Sequence, residues 1–460
     1  MSFWSDPGMI RRCHTDMKCQ DRPGVVKTDC MNRPTGSVWD KGFEVIRTLR
    51  EAGHVAYFAG GCVRDKLLGL QADDVDVATD APPQRVRELF KNTRAVGQMF
   101  GVILVRFGRD QIEVATFRSD GIYKDGRHPE TVRFASAEED ARRRDFTING
   151  LFYDPISDHV IDYVGGLKDL EARILRAIGD PKQRFEEDHL RMLRAVRFAA
   201  RFDLTIDPST SETICQDAPL ITRISGERVA EELRRMLPPS TRTKAFHLLW
   251  EHRLLEPMTG IACPVESLLT ERSLTLSLPV EPVRFPIGLM CLAIDTRWQG
   301  GGARQDLLGN FSSTEISGLV NGLRQKLKLS NQECDEMTGT AGLVHRLLHT
   351  RQWTVATTKR ACADRYADSA RIVLQALLKA GFAPDRVQQA LEKLRSYSPA
   401  DCAPPPILTG DHLVAAGYAP GPDFKRVLDQ VYDAQLENRI HTSEQALELA
   451  HRLLTKVSGF

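Results

Sequence analysis

The chain has 460 residues, which is too long for one ordinary core, so two to four structural units are expected. Apolar residues make up 42% and charged residues 27%, which is typical of a soluble globular protein, and a formal net charge of +1 by itself points to neither nucleic acid nor membrane. No run of 18 apolar residues exists and the first residues lack a signal-peptide core, so we expect a cytoplasmic protein without membrane spans.

The first part of the chain predicts a small α/β unit behind a disordered extension. Residues 1–36 mix charge, Pro, Gly and Met without a period, so we expect no order there. From Ser37 to Gly53 the apolar residues recur at helical spacing. The elements predicted next are strands at 55–59, 74–79, 102–107 and 111–117 and helices at 64–68 and 84–90.

The rest of the chain predicts helices. Strand signals nearly vanish after about residue 168, and helical periodicity continues to the end, with breaks at 300–302 and 403–406. Residues 321–400 carry 13 Lys and Arg against 7 Asp and Glu, a local basic excess that favours contact with a nucleic-acid backbone.

Two carboxylates in one predicted strand form the first candidate site. Asp74 and Asp76 are one residue apart, so both side chains face the same side of the strand. Glu113 is out of phase with the apolar Ile112 and Val114, and it adds a third carboxylate if its strand lies beside the first. Three carboxylates bind Mg²⁺ and suit two-metal nucleotidyl transfer, whereas a solvated strand end is the alternative for an isolated pair.

A glycine pair precedes these carboxylates. Gly60 and Gly61 stand between a predicted strand and a predicted helix, where backbone amides can approach a phosphate, and Arg64 adds a guanidinium that suits the same anion. A Gly-Gly turn alone is common at strand–helix corners. Gly-Gly-x-x-Arg-Asp shortly before Asp-x-Asp is much more specific.

These residues carry a family resemblance. GGCVRDKLLG from Gly60 and DVDVAT from Asp74 resemble the head motif of class II CCA-adding enzymes and bacterial poly(A) polymerases, in the polymerase-β-like nucleotidyltransferase superfamily. Later segments resemble, in order, the strand of the third carboxylate (112–118), the flexible loop (125–129), the ribose-recognising motif (143–149) and the base-selecting EDxxR motif (187–191). The resemblance spans about residues 37–240.

The resemblance implies an α+β nucleotidyltransferase head, with a five-stranded mixed sheet and flanking helices, followed by an all-α neck, body and tail. We accordingly expect a head at 37–178, a neck with the base-recognition helix at 179–255, a body at 256–400 and a tail at 401–460. Arg144 and Asp145 would hold the sugar and phosphates of the nucleotide. The intact loop, with Asp125, Arg127 and His128, would help the enzyme to change from C to A.

A stripe of charged residues is the candidate for base recognition. Asp188, Arg191, Arg194 and Arg197 recur every three residues, which places them along one face of a helix. An Asp beside an Arg offers the acceptor and donors that a Watson–Crick edge needs, and the remaining arginines can meet the triphosphate. A stripe of salt bridges within the helix is the alternative.

The sequence therefore predicts a CCA-adding tRNA nucleotidyltransferase, with tRNA, CTP and ATP as substrates, Mg²⁺ as cofactor and no evident protein partner. The intact flexible loop disfavours an enzyme that adds only CC. An A-adding enzyme or a poly(A) polymerase remains the alternative. A degenerate head that only binds RNA is disfavoured, because RNA binding alone does not need Asp74, Asp76 and Glu113 together.

Overall fold

The computed structural model describes residues 25–26, 37–72, 74–96, 101–120, 132–261, 273–298, 313–350 and 352–457. The chain divides into two compact units, one of residues 1–224 and 251–254 and the other of residues 225–250 and 255–460. The predicted boundaries between head, neck, body and tail stay predictions. The predicted loop residues Asp125, Arg127 and His128 lie outside the described residues.

The described residues contain 12 strands and 22 α-helices. The strands are β1 Val25–Val26, β2 Ala56–Ala59, β3 Asp76–Thr79, β4 Thr93–Ala95, β5 Val102–Phe107, β6 Asp110–Thr116, β7 Arg118–Asp120, β8 Val132–Phe134, β9 Leu151–Asp154, β10 His159–Asp162, β11 Ile174–Leu175 and β12 Thr205–Ile206. The helices are α1 Ser37–Glu51, α2 Gly61–Leu67, α3 Pro83–Leu89, α4 Ala137–Arg142, α5 Gly166–Glu171, α6 Pro181–Glu187, α7 Leu190–Arg201, α8 Pro208–Asp217, α9 Gly226–Met236, α10 Pro239–Glu251, α11 Leu255–Thr259, α12 Leu274–Ser277, α13 Phe285–Trp298, α14 Ser313–Leu327, α15 Asn331–His349, α16 Val355–Cys362, α17 Ala367–Lys379, α18 Pro384–Lys393, α19 Pro399–Cys402, α20 Gly410–Ala415, α21 Asp423–Leu436 and α22 Ser443–Val457.

The first unit is built on a mixed sheet in the order β1-β10-β9-β2-β3-β6-β5-β4. The pairing of β3 with β6 is parallel, and the other pairings in this sheet are antiparallel. The predicted mixed sheet with flanking helices is confirmed, but it has eight strands in the described residues where five were expected. One added strand, β1, lies within the segment predicted to be disordered, and it pairs with β10.

Aromatic side chains pack α1 against this sheet. The apolar face of α1 buries Trp39, whose ring meets that of Phe58 edge to face at 4.9 Å, and Phe58 stacks on Tyr153 at 6.2 Å. Phe58 is on β2 and Tyr153 on β9, so the contact joins neighbouring strands. These contacts fix β2, which pairs with β3 on its other side.

The second unit is helical throughout its described residues. Its C-terminal helices α20, α21 and α22 enclose a small apolar core that includes Leu413, Val427, Val431 and Ala450. None of the described helices is both long and apolar enough to cross a bilayer. The cytoplasmic location stays a prediction.

Candidate active site

The central carboxylates meet where β3 and β6 run side by side. Asp76 opens β3 and pairs in register with Glu113, so both side chains leave the same face of the sheet. They line a cleft of about 180 Å³ together with Arg143 and Arg144. Asp74 lies in a bend just before the strand rather than within it, and it is exposed. The condition under which Glu113 adds a third carboxylate, that its strand lies beside the first, is met.

The three carboxylates repel one another. Burial, together with the charges of Glu113 and Asp74, raises the pKa of Asp76 to about 6 although Arg144 opposes this shift. Burial and Asp74 also raise the pKa of Glu113. A cation would relieve this repulsion, and an all-oxygen donor set fits a hard ion such as Mg²⁺. Among the described residues no three Asp, Glu, His or Cys side chains already converge on one metal position.

The side chain of Arg144 lines the cleft and is closely surrounded by protein atoms. Its Nη1 donates to the carbonyl oxygen of Asn149 at 3.0 Å, and its guanidinium carbon lies 5.0 Å from the ring centre of Phe152. Gly60 makes room for it, because a Cβ there would lie 2.6 Å from Nη1 of Arg144. Gly60 also has φ 70° and ψ −121°, which glycine adopts more readily than other residues. This glycine therefore shapes the arginine side of the cleft.

Arg64 is held by contacts within the protein. Its side chain is buried, and Nε and Nη2 donate to Oδ1 of Asp65 at 2.8 and 2.6 Å. Nη1 donates to Oδ1 of Asn149, and the guanidinium lies 4.2 Å from the ring centre of Phe202. These contacts make Arg64 a residue that positions its neighbours; phosphate binding by Arg64 stays a prediction.

Asp145 connects the ribose motif to helix α7. Its Oδ2 accepts from Nε and Nη2 of Arg194 at 2.8 and 2.6 Å, and its Oδ1 accepts from Nδ2 of Asn149 at 2.9 Å. Burial by itself would raise the pKa of Asp145, but Arg194 and Asn149 outweigh it and lower the pKa to about 2. Asp145 is thus ionised and held in one orientation, and it orients Arg194 in turn.

The residues predicted to recognise the base do not share one helix. Asp188 lies between α6 and α7, with φ −153°, so the predicted continuous stripe is wrong at its first member. Arg191, Arg194 and Arg197 do lie on α7. Arg191 is buried, and its Nη1 donates to Glu187 and to the carbonyl oxygen of Arg184 at 3.0 Å. This ion pair holds Arg191 next to Asp188.

Comparison with known proteins identifies the family. The family model described as the poly A polymerase head domain matches residues 56–176, and the model described as a probable RNA and SrmB-binding site of polymerase A matches residues 203–259. A CCA-adding enzyme of Streptococcus suis is 30% identical over 417 residues, which cover 89% of this chain and 96% of that protein.

The chain belongs to the nucleotidyltransferase family of CCA-adding enzymes and bacterial poly(A) polymerases.

Both branches of this family match about half of the chain at similar identity. A CCA-adding enzyme of Bacillus subtilis is 42% identical over 234 residues, which cover 51% of this chain and 59% of that protein. A poly(A) polymerase I of Escherichia coli is 44% identical over 230 residues, which cover 48% of this chain and 50% of that protein. In these two matches the chain spans between half and three fifths of the relative's length. The solved CCA-adding enzyme of Bacillus stearothermophilus, in complex with CTP, has a TM-score of 0.68 at 26% identity and covers 93% of this chain and 100% of that one.

One residue of the nucleotidyltransferase cleft was missed by the sequence analysis. Asp140 is buried behind Arg143 and Arg144 and accepts from both guanidinium groups. The signal was available, because Asp140 stands three and four residues before the two arginines, between the predicted loop segment (125–129) and the ribose-recognising motif (143–149).

Proposed function

We propose that the chain adds CMP, CMP and AMP to the 3′ end of tRNA, using CTP and ATP and releasing pyrophosphate. The proposal rests mainly on the register of Asp76 with Glu113 in a cleft that Arg143 and Arg144 also line. Carboxylates and guanidinium groups that line one cleft suit a reaction between a hydroxyl group and a nucleoside triphosphate.

The residues take the following roles in this proposal. Asp74, Asp76 and Glu113 would hold Mg²⁺, which would supply Lewis-acid assistance to the attacking 3′-hydroxyl and to the leaving pyrophosphate. Arg144, which lines the same cleft beside Gly60, contacts the triphosphate. Because three of the five N–H groups of Arg144 bind Asp140 and Asn149 in the described residues, the remaining two are available to an anion.

Nucleotide choice is assigned to Asp188 and Arg191. Asp188 supplies acceptors and Arg191 supplies donors at the break between α6 and α7, and the ion pair with Glu187 keeps the Arg191 side chain in place. Arg194 is engaged by Asp145, so its contribution is to orient the ribose motif. The loop residues Asp125, Arg127 and His128 keep the role that the resemblance implies, a shift of the base-reading pair between C and A.

The full CCA product is favoured over a poly(A) tail by the share of the chain that each kind of relative matches. The resemblance to the Escherichia coli poly(A) polymerase spans 48% of the chain, whereas that to the Streptococcus suis CCA-adding enzyme spans 89%. A CCA-adding enzyme of Thermotoga maritima, solved in complex with tRNA, has the same fold over 93% of the chain, with a TM-score of 0.62 at 18% identity. A poly(A) polymerase is the second candidate, because the relative of that kind from Escherichia coli is 44% identical over 230 residues.

The basic excess in residues 321–400 is proposed to contact the tRNA backbone. Part of it is engaged internally: Arg346 pairs with Asp364, Arg360 with Asp433 and Arg371 with Asp368. The affinity for RNA should therefore be electrostatic and largely independent of sequence, with fewer phosphate contacts than the count of basic residues suggests.

A product-length assay tests the proposal. The substrates are tRNA that ends at the discriminator base, tRNA that ends in CC and a generic RNA oligomer, each with Mg²⁺ and with CTP, ATP or both. Extension of the first tRNA by three nucleotides and then a stop supports CCA addition. Extension of only the CC-ended tRNA, by one A, indicates an A-adding enzyme, and a long tail on the oligomer indicates a poly(A) polymerase.

A charge-neutral variant tests the carboxylate assignment. Asp76→Asn keeps the size of the side chain, removes its charge and should reduce extension of every substrate to background. The matched control is Asp110→Asn, because Asp110 lies on the neighbouring strand β6 and pairs with Lys41 away from the cleft. If Asp76→Asn extends tRNA like the unaltered protein, the carboxylate assignment is wrong.

A further inference from the structure

A buried carboxylate lies behind the arginines of the cleft. Oδ1 of Asp140 accepts from Nε and Nη2 of Arg143 at 2.9 and 2.7 Å, and Oδ2 accepts from Nε and Nη2 of Arg144 at 3.2 and 3.1 Å. Each oxygen thus serves one guanidinium group, and a single side chain orients both. The side chain of Asp140 is 3% exposed, whereas those of Arg143 and Arg144 are 21% and 19% exposed.

The local sequence builds this arrangement. Helix α4 begins with a capping box between Ser136 and Glu139 and ends at Arg142, so Arg143 and Arg144 leave the helix three and four residues after Asp140. Burial by itself would raise the pKa of Asp140, but Arg144 and Arg143 outweigh it and lower the pKa. The carboxylate is therefore charged at neutral pH, as a bidentate partner of two arginines requires.

Asp140 also contacts the strand that leaves the cleft. The backbone N–H of Arg118, the first residue of β7, donates to Oδ1 of Asp140 at 3.3 Å. The adjacent Phe117 accepts from the N–H of Ala135, just before α4. The same carboxylate thus links the two arginines to the antiparallel pair β7–β8.

We propose that Asp140 is a positioning residue that holds Arg143 and Arg144 in the orientation that binds the triphosphate of the incoming nucleotide. This inference rests on the proposed nucleotide-binding role of the cleft. It gives Asp140 no contact with the substrate, since the carboxylate acts through the two guanidinium groups. Its loss should weaken triphosphate binding more than any other step.

The test is the dissociation constant of CTP, and separately of ATP, with Mg²⁺ and without RNA. Asp140→Asn retains the shape and removes the charge, and we expect the dissociation constants to rise on the order of tenfold or more, as for other residues that orient a ligand-binding side chain. Glu138→Gln is the matched control. Glu138 lies on the same helix and pairs with Arg142 four residues later at 2.6 Å, but both side chains are exposed, at 49% and 63%. Glu138→Gln should leave the dissociation constants of CTP and ATP within about twofold of those of the unaltered protein.

A double-mutant cycle separates positioning from simple destabilisation. In an Arg144→Gln background the effect of Asp140→Asn should fall to about threefold or less, because one of its two targets is gone. Full additivity of the two effects would overturn the proposal, as would a folded Asp140→Asn variant that binds CTP and ATP normally. If Asp140→Asn does not fold, Asp140→Glu replaces it; its longer side chain displaces both guanidinium groups, so normal binding by that variant overturns the proposal.

Binding without RNA keeps this inference distinct from the proposed reaction. A protein that binds CTP in an Asp140-dependent manner but extends no RNA would refute the proposed function and leave the positioning role supported. If instead the unaltered protein extends tRNA and the Asp140→Asn variant has unchanged nucleotide affinity and unchanged KM, the proposed function is supported and the positioning role of Asp140 is refuted.

Discussion

Replacing Gly60 by alanine should destabilise the first unit and weaken nucleotide binding, whereas the same change at Gly61 should not destabilise it. Gly60 holds φ 70° and ψ −121°, and an L residue in such a conformation costs about 1–3 kcal/mol. The new Cβ would lie 2.6 Å from Nη1 of Arg144, so the guanidinium must also move. If its hydrogen bond to Asn149 is lost, about 1 kcal/mol is added, and the expected total is about 2–4 kcal/mol.

Gly61 provides the matched control. A Cβ there would have Nη2 of Arg64 as its nearest neighbour, at an ordinary 3.6 Å, and Gly61 is the first residue of helix α2. Alanine in a helix is neutral or favourable by up to about 1 kcal/mol. Urea unfolding followed by circular dichroism gives the two free energies of unfolding, and CTP titration gives the affinities. Equal unfolding midpoints for Gly60→Ala and Gly61→Ala would refute the assignment of strain to Gly60.

Three further predictions follow from buried or clustered charges. The pKa of Asp145 is about 2 in the folded protein, against 3.8 for an ordinary Asp side chain. The ionised carboxylate therefore stabilises the fold by about 2 kcal/mol above pH 4, and this contribution is lost as the pH falls from about 4 to about 2. Asp145→Asn should therefore cost about that amount in urea unfolding at pH 7 and about half of it at pH 3; an equal cost at both would contradict the linkage. Asp295 is buried and accepts hydrogen bonds from Ser273, Leu274 and Thr275 at 2.7–2.8 Å. Asp295→Ala should therefore lower the free energy of unfolding by about 3 kcal/mol or more. The control is Asp335→Ala, which should change it by less than about 0.5 kcal/mol because Asp335 is exposed. Raising the salt concentration from about 50 to about 200 mM should weaken tRNA binding at least about tenfold in a filter-binding assay. An unchanged affinity would contradict the proposal that basic residues contact the tRNA backbone.

The predicted elements of the first unit were set by short-range patterns. Strand β5 has the predicted bounds, and β6 differs by one residue at each end, because alternating apolar residues and a tight turn specify a hairpin locally. Strand β1 has only two residues, which carry no period, and its partner β10 is far along the chain. Such a pairing depends on tertiary contacts that no local pattern records.

The candidate site was predictable where spacing alone decides geometry. The shared face of Asp76 and Glu113 required only the strand period and neighbouring strands. The setting of Arg64 was not predictable, since its partner Asn149 lies 85 residues away. The stripe on α7 failed at Asp188 because the spacing of three was continued across a break, and helical periodicity cannot detect a single extended residue.

The choice between CCA addition and poly(A) synthesis is best sought outside the head. Relatives of both kinds are 42% and 44% identical to this chain over 234 and 230 residues, so the identity over these stretches does not separate the two activities. The carboxylates, Arg143, Arg144 and Asp140 lie within residues 56–176, which the head-domain model matches, and the role proposed for them is nucleotide transfer rather than its termination. A stop after three nucleotides requires that the RNA end be measured against the rest of the tRNA. That measurement calls for a surface beyond the cleft, and the basic helical residues 321–400 are the candidates.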